Sequence, residues 1–323
     1  MPGDCRDREM DVGVGLGLGI SELPFETARG FWRWVEMCED SAVDSIWQTD
    51  RLINDKPMLE SLSTMAALAG ATKRLKFGMN VIALGWRDPL VVAKQCASID
   101  YLSEGRLLPA FGIGTPRGEE WAATGRDPKG RGARTDEALD IISRLWTGET
   151  VDYDGAFYQY REARISPLPV QKRLPLWIGG HSKAAIRRTA RIGTGWLGGF
   201  QSPDEVTPVV AAIKVATKEA GRRIDDDHYG AGFHFRFGSW DDAVVAPRAE
   251  MIVKRNARVP EDCMVIGDAQ DMVARLKQFI AGGVSKFVLQ PVAEGDEGTL
   301  DQTRRLIDEV LPEVPALNDL LPA

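Results

Sequence analysis

Eight short runs of β type alternate with helix-period runs from one end of the chain to the other, and this order leaves few folds open. The runs are Val12 to Gly19, Ser45 to Gln48, Leu75 to Ala83, Leu107 to Ile113, Leu176 to Gly179, Gly195 to Leu197, Tyr229 to Phe237 and Lys286 to Gln290. Strands separated by helices must return to the same sheet edge in parallel, and eight is the number that closes a parallel barrel. Pro24, Pro57 and Pro89 each open a helical run, a position where the missing N–H costs little. The run Arg134 to Trp146 stops at Gly148, and Ser182 is placed to cap Lys183 to Ile192. No linker or low-complexity tract divides the 323 residues. The sequence therefore predicts a single α/β domain over residues 1–323, a (β/α)8 TIM barrel with insertions. One insertion, Glu149 to Ile165, alternates apolar and polar residues about Asp154-Gly155 and predicts a hairpin outside the barrel. The other, Trp240 to Asp262, is an Arg-rich excursion after the seventh strand.

Charge and composition exclude several functions. Forty Lys and Arg stand against 47 Asp and Glu, a net charge of -7, with no basic stripe for nucleic acid. The longest apolar stretches, such as Val12 to Ile20, fall short of the roughly 18 residues of a membrane span. Met1 to Met10 has no apolar core of a secretory signal, so the expected location is the cytoplasm. Cys5, Cys38, Cys96 and Cys263 form no CxxC pair and read as reduced, buried residues. The three histidines, His181, His228 and His234, lie at no metal-ligand spacing, so no metal is expected. His228 and His234 read as satisfied residues sharing one face of a strand.

In a barrel the reactive residues follow the strands' C-terminal ends. Gly13, Gly15, Gly17 and Gly19 bare one face of the first strand, either for close approach of a ligand or to relieve crowding. No G-x-G-x-x-G pattern is present, at Gly112-Ile113-Gly114 or elsewhere in these stretches, so a Rossmann site is unsupported. Asp50-Arg51 follows the second strand, where a charged pair can orient or protonate a ligand. Asn80 interrupts the apolar third strand, and its amide needs a partner in protein or ligand. Gly179-Gly180-His181-Ser182 joins a strand to a helix N-terminus, a plausible cradle for a phosphate. Lys94, Asp100 and Arg106 read as a structural ion network. With few acid or base groups, such a mouth suits a phosphorylated organic cofactor that brings its own chemistry.

Several segments together resemble the bacterial luciferase-like superfamily of flavin- and coenzyme F420-dependent oxidoreductases. They are Thr72 to Gly78, Asp88 to Gln95, Asp100 to Leu107, Arg131 to Ala138 with Leu145 to Gly148, Pro175 to Gly180, Gly195-Trp196 and Val265 to Asp268. Ile46 to Arg51 and Lys94 to Asp100 are most similar to F420-dependent actinobacterial oxidoreductases. The resemblance implies a deazaflavin or isoalloxazine ring across the barrel mouth, pressed by a non-proline cis peptide at Asn80-Val81. Gly112 and Gly114 would lie beside it, Gly179 to Ser182 would hold the phosphate, and Arg134 would add a charge-assisted contact. Asp50 would orient the ring edge and Arg51 would stabilise an anionic reduced ring. The superfamily's sugar-phosphate dehydrogenases carry an Asp-His pair after the second strand and a glutamate after the fourth. Here Asp50-Arg51 and Gly114-Thr115 stand instead, so that acid/base mechanism does not carry over. The resemblance implies hydride transfer with coenzyme F420 on a small-molecule substrate. Its alternatives are a two-component monooxygenase using FMN from a separate reductase, a non-catalytic flavin-binding barrel, and a phosphate-binding lyase. Two copies forming a homodimer would fit the resemblance.

Overall fold

A computed structural model of the chain describes residues 13–256 and 258–321. Val12, Cys5 and the Met1 to Met10 segment read above lie outside the described residues. Fourteen strands are present: β1 (Gly15–Ile20), β2 (Ser45–Gln48), β3 (Lys76–Met79), β4 (Ile82–Ala83), β5 (Leu107–Leu108), β6 (Ala110–Gly112), β7 (Val151–Asp154), β8 (Gln159–Ala163), β9 (Trp177–Gly179), β10 (Gly195–Leu197), β11 (Tyr229–Ala231), β12 (His234–Phe237), β13 (Met264–Gly267) and β14 (Lys286–Pro291). Parallel pairing runs β14–β1–β2–β3–β5, then β4–β6–β9–β10–β11–β14. Since β3 with β4 and β5 with β6 are successive halves of one barrel strand each, the pairing returns to its start and closes an eight-membered ring.

Three predicted strands are thus each broken in two. The third divides at the Asn80–Val81 peptide, which is cis. The fourth divides at Pro109, which has no N–H to give a ladder. The seventh divides at Gly232, where a Cβ would meet the Val288 carbonyl oxygen at 2.1 Å. Only glycine lets the two backbones pass so closely.

The barrel interior is filled by Trp47, Leu108, Ala110, Trp177, Leu197 and Val288, with Val81 packed against them. The two tryptophans meet edge to face, centroids 6.1 Å apart. Truncating either to alanine should cost about 3–5 kcal/mol. The glycines of β1 face this interior. A Cβ at Gly17 would lie 2.4 Å from Ser45 Oγ, and one at Gly19 would lie 2.8 Å from Val288 Cγ1. Relief of crowding accounts for both. At the lower end Lys286 pairs with Asp44 beside Gly15, in the region of a barrel that serves stability. A larger apolar layer joins the ring to its helices.

The helix caps follow sequence chemistry with three shifts, the first at Pro24, which precedes its helix by four residues because Thr27 supplies the cap. Thr27 caps Ala28–Glu39, Asp88 caps Pro89–Leu102, and Ser182 caps Lys183–Ile192 through Ala185 N–H at 3.2 Å. Pro57 instead belongs to a loop, its carbonyl accepting Leu23 N–H at 2.8 Å. The helix starts later, Ser61–Ala71, because the Glu60 carboxylate accepts Ser63 N–H at 2.7 Å. The predicted Arg134 helix begins earlier, Arg131–Trp146, after Gly130 at φ +76°.

The antiparallel hairpin β7–β8 stands apart from the ring. Its loop is ordered by Glu137, which accepts N–H groups of Ala156, Phe157 and Tyr158 at 2.8–3.2 Å. The second insertion forms the helix Val245–Asn256 and the short turn Pro260–Cys263. It leads into β13, a strand absent from the predicted eight, which pairs with β12 outside the ring. Lys94, Asp100 and Arg106 form no ion network. Asp100 accepts N–H groups of Val170 and Gln171, while Arg106 donates to the carbonyls of Ala69, Thr72 and Leu75. Among the described residues no helix is long and apolar enough to cross a membrane, and no three potential ligands are placed to hold a metal ion.

Candidate functional site at the barrel mouth

At the C-terminal end of the ring Val81 occupies space that glycines leave open. A Cβ at Gly112 would lie 2.7 Å from Val81 Cγ2, and one at Gly179 would lie 3.0 Å from it. These glycines therefore accommodate Val81, which remains only half-buried. Gly114, at φ +71°, lies against Trp86 instead, where a Cβ would come within 2.5 Å of the indole. Trp86 and Trp121 pack on each other at 5.1 Å under the following loop. Beside Val81 the backbone N–H of half-buried Asn80 donates to Gln48 at 2.8 Å, while its side-chain amide has no hydrogen-bond partner among the described residues.

Next to this platform Gly180, His181 and Ser182 are exposed at the start of Lys183–Ile192. Gly180 has φ +106°, a conformation that side chains resist, and its carbonyl accepts Trp196 Nε1–H at 2.7 Å. The turn is held from below while its upper side stays open, and the helix dipole favours an anion there. Arg134 at the start of the neighbouring helix has its guanidinium 4.8 Å from the centre of the Phe157 ring on the hairpin, with Nε left without a hydrogen bond.

Asp50 and Arg51 do not act as a pair. Asp50 is buried and grips Arg87 through two hydrogen bonds of 2.7 and 2.8 Å, with Ala83 N–H at 3.2 Å on the same carboxylate. Burial pushes the Asp50 carboxyl above its ordinary value against the opposing pull of Arg87. This clamp ties the end of β2 to the end of β4. Arg51 instead places Nε 2.8 Å from Oε1 of Glu120, a carboxylate with no exposed surface. Gly118 makes room for it, since a Cβ there would lie 2.6 Å from Glu120 Oε2. The loop after the fourth barrel strand thus does supply a glutamate, six residues beyond Gly114, where its irregular spacing hid it.

A cavity of about 480 Å³ opens between the ends of β1 and β2 and the second insertion; Ser21, Thr49, Arg51, Phe200, His234 and Met251 are among its walls. Val245–Asn256 supplies one side, which gives the excursion a place in the site. His228 and His234 do not share a strand face. His228 sits in the turn before β11 with Nδ1 3.0 Å from the Thr194 carbonyl, whereas His234 begins β12. His234 stacks on Phe200 at 4.2 Å and is buried, with Nδ1 lacking any hydrogen bond. Burial, aided by Arg248, pushes its pKa down to about 3, so the ring is neutral. Its neighbour in the ladder, Gln290, accepts Ser21 Oγ–H at 3.0 Å while its own Nε2 is buried without a partner.

The chain matches the luciferase-like monooxygenase family over residues 11–259. The chain belongs to that family. An uncharacterised protein of Mycobacterium tuberculosis is 37% identical over 171 residues, 53% of this chain and 58% of that one. The match therefore spans little more than half the length of that relative. The F420-dependent glucose-6-phosphate dehydrogenase of Amycolatopsis mediterranei is 27% identical over 314 residues, 86% of this chain and 92% of that one. Among solved structures, an F420-dependent secondary alcohol dehydrogenase in complex with an F420-acetone adduct superposes with a TM-score of 0.80 at 20% identity, covering 94% of this chain and 99% of its own. That likeness shares the barrel expected of the family.

Proposed function

We propose that this member of the family is a cytoplasmic oxidoreductase that binds coenzyme F420 and transfers hydride to or from a small organic molecule. The observation that carries the reading is the half-buried Val81 platform directly beside the exposed Gly180–Ser182 turn. A flat ring and an anion find adjoining surfaces there. Both fit the residues present: Gly112 and Gly179 keep Val81 in place, Gly180, His181 and Ser182 offer backbone and hydroxyl donors, and the Asn80 amide is available to the ring edge. The F420-dependent dehydrogenase related along most of its length favours the deazaflavin over FMN.

When bound, F420 supplies hydride chemistry and nothing that the side chains must generate. Asp50 acts through Arg87 to fix the strand ends on which the ring would rest. Arg51, held by Glu120, keeps a permanent positive charge on the cavity wall and has no role as a base at neutral pH. A separate reductase would return the cofactor to its working state.

The test is an equilibrium titration of the purified apo-protein with F420 and FMN in both redox states, followed by absorbance and fluorescence. Preferential F420 binding is expected. Preference for reduced FMN with substrate-dependent oxygen uptake would replace the reading with a monooxygenase, and tight binding with no turnover on any donor or acceptor would leave a binding protein.

A further inference from the structure

Two buried side chains at the barrel mouth hold hydrogen-bonding atoms that the protein does not use. Gln290 and His234 are partners in the ladder between β14 and β12, and each is only 3% exposed. Gln290 has a fixed orientation. Ser21 Oγ–H donates to its Oε1 at 3.0 Å, and Thr49 Oγ1 lies 3.0 Å from Ser21 Oγ, so a hydroxyl relay holds the amide. The Nε2 donors then face no acceptor. His234 is held by its stack on Phe200, whose carbonyl accepts the Cys263 thiol at 3.0 Å. Buried polar atoms without partners are costly, so an amide donor and a ring nitrogen left open on paired residues of neighbouring strands, one lining the cavity and the other behind Ser21, imply something that completes them.

We propose that Gln290 and His234 form an oxygen-recognition point for the mouth cavity, taking the hydroxyl or carbonyl oxygen of a small, otherwise apolar molecule. A carbonyl oxygen accepts from Gln290 Nε2. A hydroxyl does the same and donates its proton to the unprotonated nitrogen of neutral His234. Ser21, Thr49 and His234 all reach the cavity, and Phe200, Met58, Met251 and Ile252 give it apolar wall. The charges on its rim do not favour an anion: Glu22, Asp55 and Glu119 stand against Arg51, already tied to Glu120, and Arg248. The inference rests on the hydride-transfer reading only in taking this cavity as the substrate's.

The full chain labelled with ¹⁵N-histidine offers three pairs of ring-nitrogen signals, and His234→Phe, which keeps the stack on Phe200, assigns one pair. Cyclopentanol, cyclopentanone and cyclopentane are titrated against the apo-protein and against protein loaded with F420. Both oxygenated rings are expected to move the His234 signals and to bind about tenfold or more tighter than the hydrocarbon. Gln290→Met should abolish the advantage of the ketone, and His234→Phe that of the alcohol over the ketone. Equal binding of cyclopentane, or no response of His234 to either oxygenated ring, would overturn the proposal. Failure to bind F420 with the oxygen preference intact would end the hydride-transfer reading and leave this site standing; F420 binding without the preference would do the reverse.

Discussion

Val81 is packed over Gly112, where an added Cβ would lie 2.7 Å from Val81 Cγ2, and over Gly179 on the next strand, where a Cβ would lie 3.0 Å from the same methyl. A side chain at a strand break is thereby supported by the absence of side chains on two neighbouring strands. Shape at the mouth is set by what those positions lack.

Gly112→Ala should displace Val81 and cost about 1–3 kcal/mol, the usual penalty for overpacking. Val81→Ala in the same chain should relieve the clash, giving a coupling of about 1 kcal/mol between the two sites. Urea unfolding of the four variants measures it. Cofactor affinity should fall with Gly112→Ala and recover only partly in the double variant, because the platform itself is then missing. Additive stabilities would show that Val81 and Gly112 do not share the space.

Asp50→Asn should behave as a structural lesion. It removes the charge from a buried, doubly hydrogen-bonded pair and leaves Arg87 with Glu60 at 3.4 Å as its remaining carboxylate, a loss of about 3 kcal/mol. The urea midpoint should drop accordingly. A variant of unchanged stability that binds cofactor poorly would instead return Asp50 to direct contact with the ring.

Arg51 and Glu120 should respond unequally to truncation. Arg51→Met leaves a fully buried carboxylate without its ion partner, at a cost of about 2–3 kcal/mol, reduced from the buried-pair range because Arg51 is 37% exposed and water screens it. Glu120→Gln leaves only a half-exposed guanidinium that water can solvate, and should cost about 1 kcal/mol. Denaturation of both variants reads the asymmetry. Equal losses would mean that Glu120 is sustained by something other than Arg51.

The periodic parts of this molecule were legible and the contacts between distant loops were not. Alternating runs specify the ring because burial on both faces leaves short apolar strands, and Asp88-Pro89 and Ser182 mark helix starts by their own hydrogen bonds. The strand break at Gly232 depends on how two backbones meet, which only the closed ring reveals, whereas the break at Pro109 has a local cause in the missing N–H. Asp50 finds Arg87 across 37 residues and Arg51 finds Glu120 across 69, so their adjacency in sequence suggested a pair that the fold pulls apart. His234 looked like an ordinary strand residue, and no local signal shows that its ring nitrogen is left without a partner. The strand β13 was missed because four residues after a polar excursion carry too little periodicity to register.

Burial of His234 also sets a pH dependence. Unfolded, the ring takes its proton near pH 6.5; folded, its pKa is pushed down to about 3. Between those values the unfolded chain holds more protons, so stability falls as the pH falls, by about 1.4 kcal/mol per unit. Above about pH 7.5 the residue contributes nothing to the slope. The nearby Arg248 guanidinium and Cys263 thiol, the latter raised by burial, keep their protons across this window. From pH 7 to pH 5 the wild-type chain should therefore lose about 2 kcal/mol through this one ring. His234→Phe, whatever its stability at pH 7, should show a loss smaller by that amount in urea unfolding at the two pH values. Equal losses in the two proteins would mean that His234 titrates in the folded state as it does in water, and that water reaches the wall of the cavity where the ring now lies buried against Phe200.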